Sequence, residues 1–241
     1  MKYYMIAGAS SGIGREMAKQ ISDKETTVIL LARRRDRLEE VAAELKGESI
    51  VIPCDLTKSG EIENAFSVLR GQEIKLDGLI YCAGIYFLKT VKSMTQQDLE
   101  YMFRVNVFGF YEMCRNFYKV KASNAGASIV GISSYSAVER EKGLSAYAMT
   151  KEAMNVQTQV MAKEFLKRKI RINTVMPATV MSKMNTTDNR WTNEEIEAVE
   201  QRQPLGIIPI ENVVKVVQFL LSRDAEYITG ESIAISAGYQ Q

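Results

Sequence analysis

The chain has 241 residues, a net charge of +2, 25% charged side chains and no histidine. That length suits one large α/β domain or two small ones, with ample length for a core, and the balanced charge provides no field to recruit nucleic acid or an acidic membrane. Without histidine there is no Ser-His-Asp hydrolase, no His-ligated zinc and no imidazole acid/base, so proton chemistry falls to Tyr, Lys, Asp, Glu or Cys. The longest apolar runs, 27–32 and 213–221, are far too short for a bilayer span, and the first residues lack a cleavable signal pattern, so a cytoplasmic protein is expected. Cys54, Cys82 and Cys114 are odd in number and widely spaced, which predicts reduced core thiols and no metal site.

Residues 3–7 predict a strand that breaks into Gly8-Ala9-Ser10-Ser11-Gly12-Ile13-Gly14, after which apolar residues recur at helical spacing. Strand, glycine turn and helix N-terminus together make an anion site, and glycines let a pyrophosphate approach the backbone; a tight turn with no ligand is the competing explanation. The second strand, 27–32, ends at Arg33-Arg34-Arg35, where dinucleotide folds that choose NAD carry an acid. Guanidinium forks match a 2′-phosphate and point to NADP(H) over NAD(H); a solvated basic start to the helix at 37–45 is the alternative.

The third strand, 49–54, leads to Asp55-Leu56-Thr57, where Asp55 either caps the next helix or meets an adenine at the strand's carboxyl end. The fourth, 78–82, runs into Ala83-Gly84, small enough for a cofactor to approach. A long helix is expected over 96–122, with Asn106 between two valines. A buried amide there needs partners or costs on the order of 1–3 kcal/mol, and the residues alone favour a hydrogen-bonded structural asparagine. The fifth strand, 127–132, ends at Ser133-Ser134. A helix carrying Tyr147 and Lys151 then runs to about residue 168, and the sixth strand is 170–176. Residues 177–203 carry no strand pattern beyond a short helical piece at 193–201, and a substrate lid is expected at about 182–204. A helix at 213–221 and a strand at 232–236 close the chain. Strands alternating with helices predict one Rossmann-type domain over 1–241, a doubly wound parallel sheet of seven strands flanked by helices.

Tyr147 and Lys151 stand at i,i+4 on one helical face, and a neighbouring ammonium favours the tyrosinate. Bringing a phenol from about 10 to about 7 takes about 4 kcal/mol, at about 1.36 kcal/mol per unit, so one lysine and a second cation suffice. A Ser-Lys hydrolase would be a different use of Ser134 and Lys151, but neither Ser-x-x-Lys nor Gly-x-Ser-x-Gly occurs around Ser134.

These residues resemble the short-chain dehydrogenase/reductase family over essentially the whole chain, with similarity to its 3-oxoacyl-acyl-carrier-protein reductase-like members. Gly8 to Gly14 looks like the family's cofactor turn, Ala83-Gly84 like the end of its Asn-Asn-Ala-Gly segment, and Asn106, Ser134, Tyr147 and Lys151 like its catalytic tetrad. Pro177-Ala178-Thr179-Val180-Met181-Ser182 resembles the stretch that meets the nicotinamide. Ala7, Tyr81-Cys82, Ala178 and Ala237 depart from the family pattern without removing a proton donor.

The resemblance implies hydride transfer between NADP(H) and a carbonyl or secondary alcohol. In it Tyr147 is acid or base, Ser134 orients the oxygen, Lys151 holds the ribose, and Asn106 holds a water on a proton path. It places Gly8, Ser10, Ser11, Gly12, Ile13, Gly14, Arg33, Arg34, Asp55, Leu56, Ala83, Gly84, Tyr147, Lys151, Pro177, Val180 and Ser182 against the cofactor. It also implies a homodimer or homotetramer. A non-catalytic, dinucleotide-binding redox sensor of the same fold is the rival reading. Ile85, Tyr86, Tyr135, Val138, Met184 and Trp191 are the expected pocket walls, an apolar and aromatic set suited to a small-molecule ketone or alcohol.

Overall fold

The computed structural model describes residues 1–182 and 192–239. Seven parallel strands form one sheet in the order β3-β2-β1-β4-β5-β6-β7: β1 Lys2–Ala7, β2 Thr26–Ala32, β3 Ser49–Pro53, β4 Leu76–Tyr81, β5 Ser123–Ile132, β6 Arg171–Pro177 and β7 Ser232–Ile235. Strand residues alternate between two cores because successive side chains point to opposite faces. Met5, Ile29 and Ile129 pack with α3 (Ser59–Gly71), α5 (Gly109–Phe117) and α7 (Ser145–Phe165). Ile6, Leu30 and Val130 pack instead with α1 (Gly12–Ile21), α2 (Arg35–Ala42) and α9 (Ile210–Leu221). Both faces are covered, which is why the strands read as continuous apolar runs rather than alternating ones. The chain leaves β1 first towards β2 and β3 and later towards β4, so the order reverses beside β1. A crevice opens there at the carboxyl ends of the strands. This is the expected Rossmann-type architecture.

Three elements differ from the sequence reading. β5 starts at Ser123, before the apolar run, because Leu76 pairs with Ser123 across a register shift that the polar Ser123-Asn124-Ala125-Gly126 stretch conceals. Residues 96–122 do not form one α-helix. They divide into α4 (Gln96–Phe103), a π-helical turn (Arg104–Phe108) and α5, which ends at Phe117. Beyond it, Ser123 Oγ donates to the Phe117 carbonyl at 2.6 Å and Arg168 takes the Tyr118 carbonyl at 2.5 Å, so the last turn is satisfied from outside the helix. The loop after β5 holds a four-residue helix, α6 (Ser136–Glu139).

The π-turn has a visible cause. Tyr81 is fully buried, and its phenol donates to the Val105 carbonyl at 2.5 Å while Gly109 N–H reaches back to Arg104 O. A methyl group at Gly109 would stand 2.5 Å from the Tyr81 oxygen, so only glycine admits this approach. The three cysteines are free; Cys54 and Cys114 are buried, and burial pushes the Cys54 and Cys82 thiols up to about 12. No helix among the described residues is long and apolar enough to cross a membrane.

Tyr81→Phe leaves the Val105 carbonyl without that donor and is expected to lower unfolding stability by about 1–3 kcal/mol in urea denaturation. A loss within measurement error would show that the bond does not hold the turn.

Candidate active site

One cleft of about 1180 Å³ runs along the carboxyl ends of the strands. At its head Gly8 and Ala9 donate backbone N–H groups to Leu31 O at 2.8 and 3.1 Å, which locks the end of β1 to β2. Ser11 is the N-cap of α1, in extended conformation and with no side-chain cap bond, and the first turn carries no acid. The helix's free N–H groups therefore face the cleft uncompensated. Gly8, Ser10, Ser11, Gly12 and Ile13 line the cleft, whereas Gly14 sits behind, packed on the Gly8 carbonyl.

Arg33 and Arg34 are exposed at the end of β2 and line the cleft. Arg33 donates to the Tyr101 phenol on α4 at 3.0 Å. Arg35 and Arg37 pair with Glu39 and Glu40, while Arg34 makes no ion pair among the described residues. Asp55 does not cap α3, whose N-cap is Lys58. It accepts from Thr57 N–H at 3.0 Å and Thr57 Oγ1 at 2.8 Å, forming its own turn on the cleft wall beside Leu56. Burial works to raise its pKa, but the two Thr57 bonds and the charges of Lys58 and Arg33 prevail and hold it below the usual range.

Deeper in the cleft, Ala83 and Gly84 follow β4, Ser134 follows β5, Pro177 ends β6, and Val180 and Ser182 come after it. Tyr147 and Lys151 lie one turn apart on α7, both on the cleft. Lys151 is buried, its Nζ 2.8 Å from the Ile132 carbonyl and 5.6 Å from the centre of the Tyr147 ring. A side chain at Gly84 would begin 3.4 Å from that ammonium. Ser134 Oγ lies 3.2 Å from both Ser136 Oγ and Ser136 N, and it also hydrogen-bonds Tyr147. Tyr86 sets its ring edge against Tyr147, with centroids 5.6 Å apart.

The electrostatics depart from the sequence expectation. Burial pushes the Tyr147 phenol up to about 12, with the Ser134 bond opposing and Tyr86 adding, while burial pushes Lys151 down to about 8. The chain's own groups therefore do not bring the tyrosine down; desolvation outweighs the Ser134 bond. Asn106 also sits differently from a cleft-facing residue. It is fully buried in the π-turn, behind the cleft, exchanging two 2.9 Å bonds with the Ile85 backbone and donating to Thr150 Oγ1 at 3.0 Å.

Of the expected pocket walls, Ile85 and Tyr86 line the cleft. Tyr135 and Val138 do not: the Tyr135 ring packs against Tyr239 at 5.4 Å, and Val138 is exposed. Met184 and Trp191 lie outside the described residues, as does the 183–191 part of the expected lid; the part that is described holds α8 (Asn193–Glu200). The sequence reading missed Tyr101, Glu139, Glu141, Arg202 and Tyr239, all of which line the cleft. Glu139 and Glu141 stand in the same stretch as Tyr135 and Val138, two of the expected pocket walls, and that position was the available signal. Their partners are some 60 to 100 residues away, beyond any local pattern.

The family described as enoyl-(acyl carrier protein) reductase matches residues 8–240. The chain is 28% identical over 240 residues to an NAD-dependent glycerol dehydrogenase of Listeria innocua, covering 99% of this chain and 93% of the relative. It is 28% identical over 235 residues to the 3-oxoacyl-[acyl-carrier-protein] reductase FabG of Rickettsia bellii, covering 97% and 95%. A short-chain dehydrogenase/reductase from Serratia marcescens superposes with a TM-score of 0.90 at 26% identity, over 100% of this chain and 98% of that one. A phenol, a hydroxyl and a buried ammonium gathered below a glycine turn, in a chain matched end to end by such relatives, place this protein in the short-chain dehydrogenase/reductase family.

Proposed function

We propose that this oxidoreductase transfers a hydride between NADP(H) and a small carbonyl or secondary alcohol, with Tyr147 as general acid/base. The observation that carries this is the meeting of Ser134, Tyr147 and Lys151 at the floor of the cleft whose head is the α1 N-terminus. The residues suit a dinucleotide: uncompensated helix N–H groups face a pyrophosphate position, and Arg34 offers a guanidinium with no ion pair among the described residues. At about 1180 Å³ the cleft exceeds the range of about 300–1,000 Å³ typical of small-ligand pockets, leaving room for a second reactant.

When bound, the nicotinamide supplies or accepts the hydride. In reduction, Ser134 Oγ donates to the carbonyl oxygen and Tyr147 delivers its proton there; in oxidation Tyr147 takes the proton back. A phenol near 12 is fully protonated at neutral pH, which suits the acid role. Its use as a base calls for the positive charge of the oxidised cofactor added to that of Lys151. Lys151 would also hold the ribose hydroxyls of the bound cofactor. Asn106 acts by holding Ile85 and Thr150 in place, and a water on its carbonyl side would extend a proton path from Lys151. Relatives named for glycerol and for 3-oxoacyl groups leave both polyol and acyl ketones open as substrates. Exposed Phe108 and Tyr111, with Val156 and Val160 on α7, support a homodimer or homotetramer.

Tyr147→Phe is expected to lower kcat for carbonyl reduction by about 100-fold or more, with NADPH binding intact by fluorescence titration. Full turnover in that variant would remove Tyr147 from the acid role. Because burial brings Lys151 down to about 8, its charge is present below that pH and lost above it. The rate of reduction should therefore fall with a midpoint near 8, and Lys151→Arg should move that midpoint upwards. Charge-assisted bonds are worth about 1.5–3 kcal/mol, so Arg34→Ala is expected to weaken NADPH about 10- to 100-fold and NADH less than about twofold. Equal losses for both cofactors would remove the 2′-phosphate role from Arg34.

A further inference from the structure

One cluster on the cleft wall joins three distant pieces of chain. Glu139 ends α6, Glu141 follows it, Arg202 lies just beyond α8, and Tyr239 belongs to the C-terminal tail. The Tyr239 phenol donates to Glu139 and lies 3.2 Å from Glu141; the Arg202 guanidinium pairs with Glu141 and lies 3.5 Å from the Tyr239 oxygen. The base of Arg202 is held in place. Its neighbour Gln203 is fully buried and bonds Thr179 N at 2.7 Å and, through its other amide atom, Thr179 O at 3.3 Å and Gly206 O at 3.2 Å. The cluster also reaches the reacting end of the cleft. Tyr239 packs on the ring of Tyr135, which is adjacent to Ser134 and whose N–H is bonded to Pro177 O at 2.9 Å.

We propose that Glu139, Glu141, Arg202 and Tyr239 form a proton-dependent clasp that closes the substrate end of the cleft and positions the segment carrying Ser134. These are positioning residues. They act on substrate binding through Tyr135 and the loop, and the inference rests on the proposed reductase activity.

One guanidinium faces two carboxylates, so the closed cluster is balanced only when one carboxyl keeps its proton. Glu139, Glu141 and Tyr239 are all half-buried, and Glu139 is the carboxyl whose pKa is raised. Burial first, then its bond to Glu141 and that residue's charge, push it up to about 8, with Arg202 opposing and Tyr239 facing it from the tail. The closed form thus binds this proton more tightly than an open, solvated glutamate would at its ordinary 4.5. Closure is therefore most favoured below 4.5, weakens as pH rises across that interval, and is weakest above about 8.

The test is steady-state reduction of a ketone at saturating NADPH between about pH 6 and 9. The wild-type KM should rise by up to about tenfold to a plateau near 8. Glu139→Gln keeps a neutral side chain of the same shape and should hold KM flat at its low-pH value, with the kcat profile set by Lys151 unchanged. Tyr239→Phe should raise KM across the range with little change in kcat. A wild-type KM step surviving in Glu139→Gln would overturn the clasp. If no carbonyl is reduced at all, the proposed activity fails, and the clasp is judged by hydrogen exchange. Peptides spanning 136–144 should then gain exchange beyond the intrinsic pH effect in wild type but not in Glu139→Gln, and equal gains would overturn it.

Discussion

Backbone meets backbone where β1 ends, and the site depends on that contact. A side chain at Gly8, whose φ is +86°, would begin 2.6 Å from the Ala83 amide nitrogen, and one at Gly14 would overlap the Gly8 carbonyl. Removing both Cβ atoms brings α1 against β1 and lets the exit of β4 lie beside the glycine turn. The helix N-terminus, Ala83-Gly84 and, through Gly84, the Lys151 ammonium then share one crevice. Larger residues would separate these elements by an ångström or more, and the dipole end and the buried cation would no longer address the same ligand.

Behind that crevice the chain resolves a second conflict. A buried amide, a buried ammonium and a buried phenol each lose hydration, and each is given a partner from a different element. Tyr81 replaces a family asparagine, yet its phenol engages the Val105 carbonyl and sustains the π-turn that carries Asn106. Asn106 in turn bridges the Ile85 backbone and Thr150. Lys151 has the Ile132 carbonyl, the weakly accepting Met154 sulfur and a low-dielectric setting that weakens its own hold on a proton. A lysine so placed titrates close to working pH, so its charge and that of the tyrosine are sensitive to whatever ligand enters.

The two ends of the cleft use charge differently. At the glycine turn the positive groups are left open: helix N–H groups and Arg34. At the other end charge is turned inwards, with Arg202 and Tyr239 engaged by Glu139 and Glu141. The first arrangement suits an anionic ligand. The second puts polar groups on a wall that composition alone described as apolar and aromatic, and it ties that wall to the C-terminal tail.

What the sequence by itself determined is whatever depends on short-range pattern. Apolar runs bounded by glycine and polar turns set the strand order along the chain, the glycine turn marked a helix N-terminus, and the i,i+4 spacing set Tyr147 and Lys151 on one face. The balance of burial against Coulomb attraction was not legible, because desolvation depends on which side chains cover a group, and Tyr147 is raised rather than lowered as a result. Nor was the start of β5, whose first residues lack strand character and are held by pairing with Leu76. The π-turn hangs on a phenol 24 positions away, and the Glu139 cluster on a tyrosine 100 positions away. Such contacts leave no periodicity in the chain, since only the folded sheet brings their partners together.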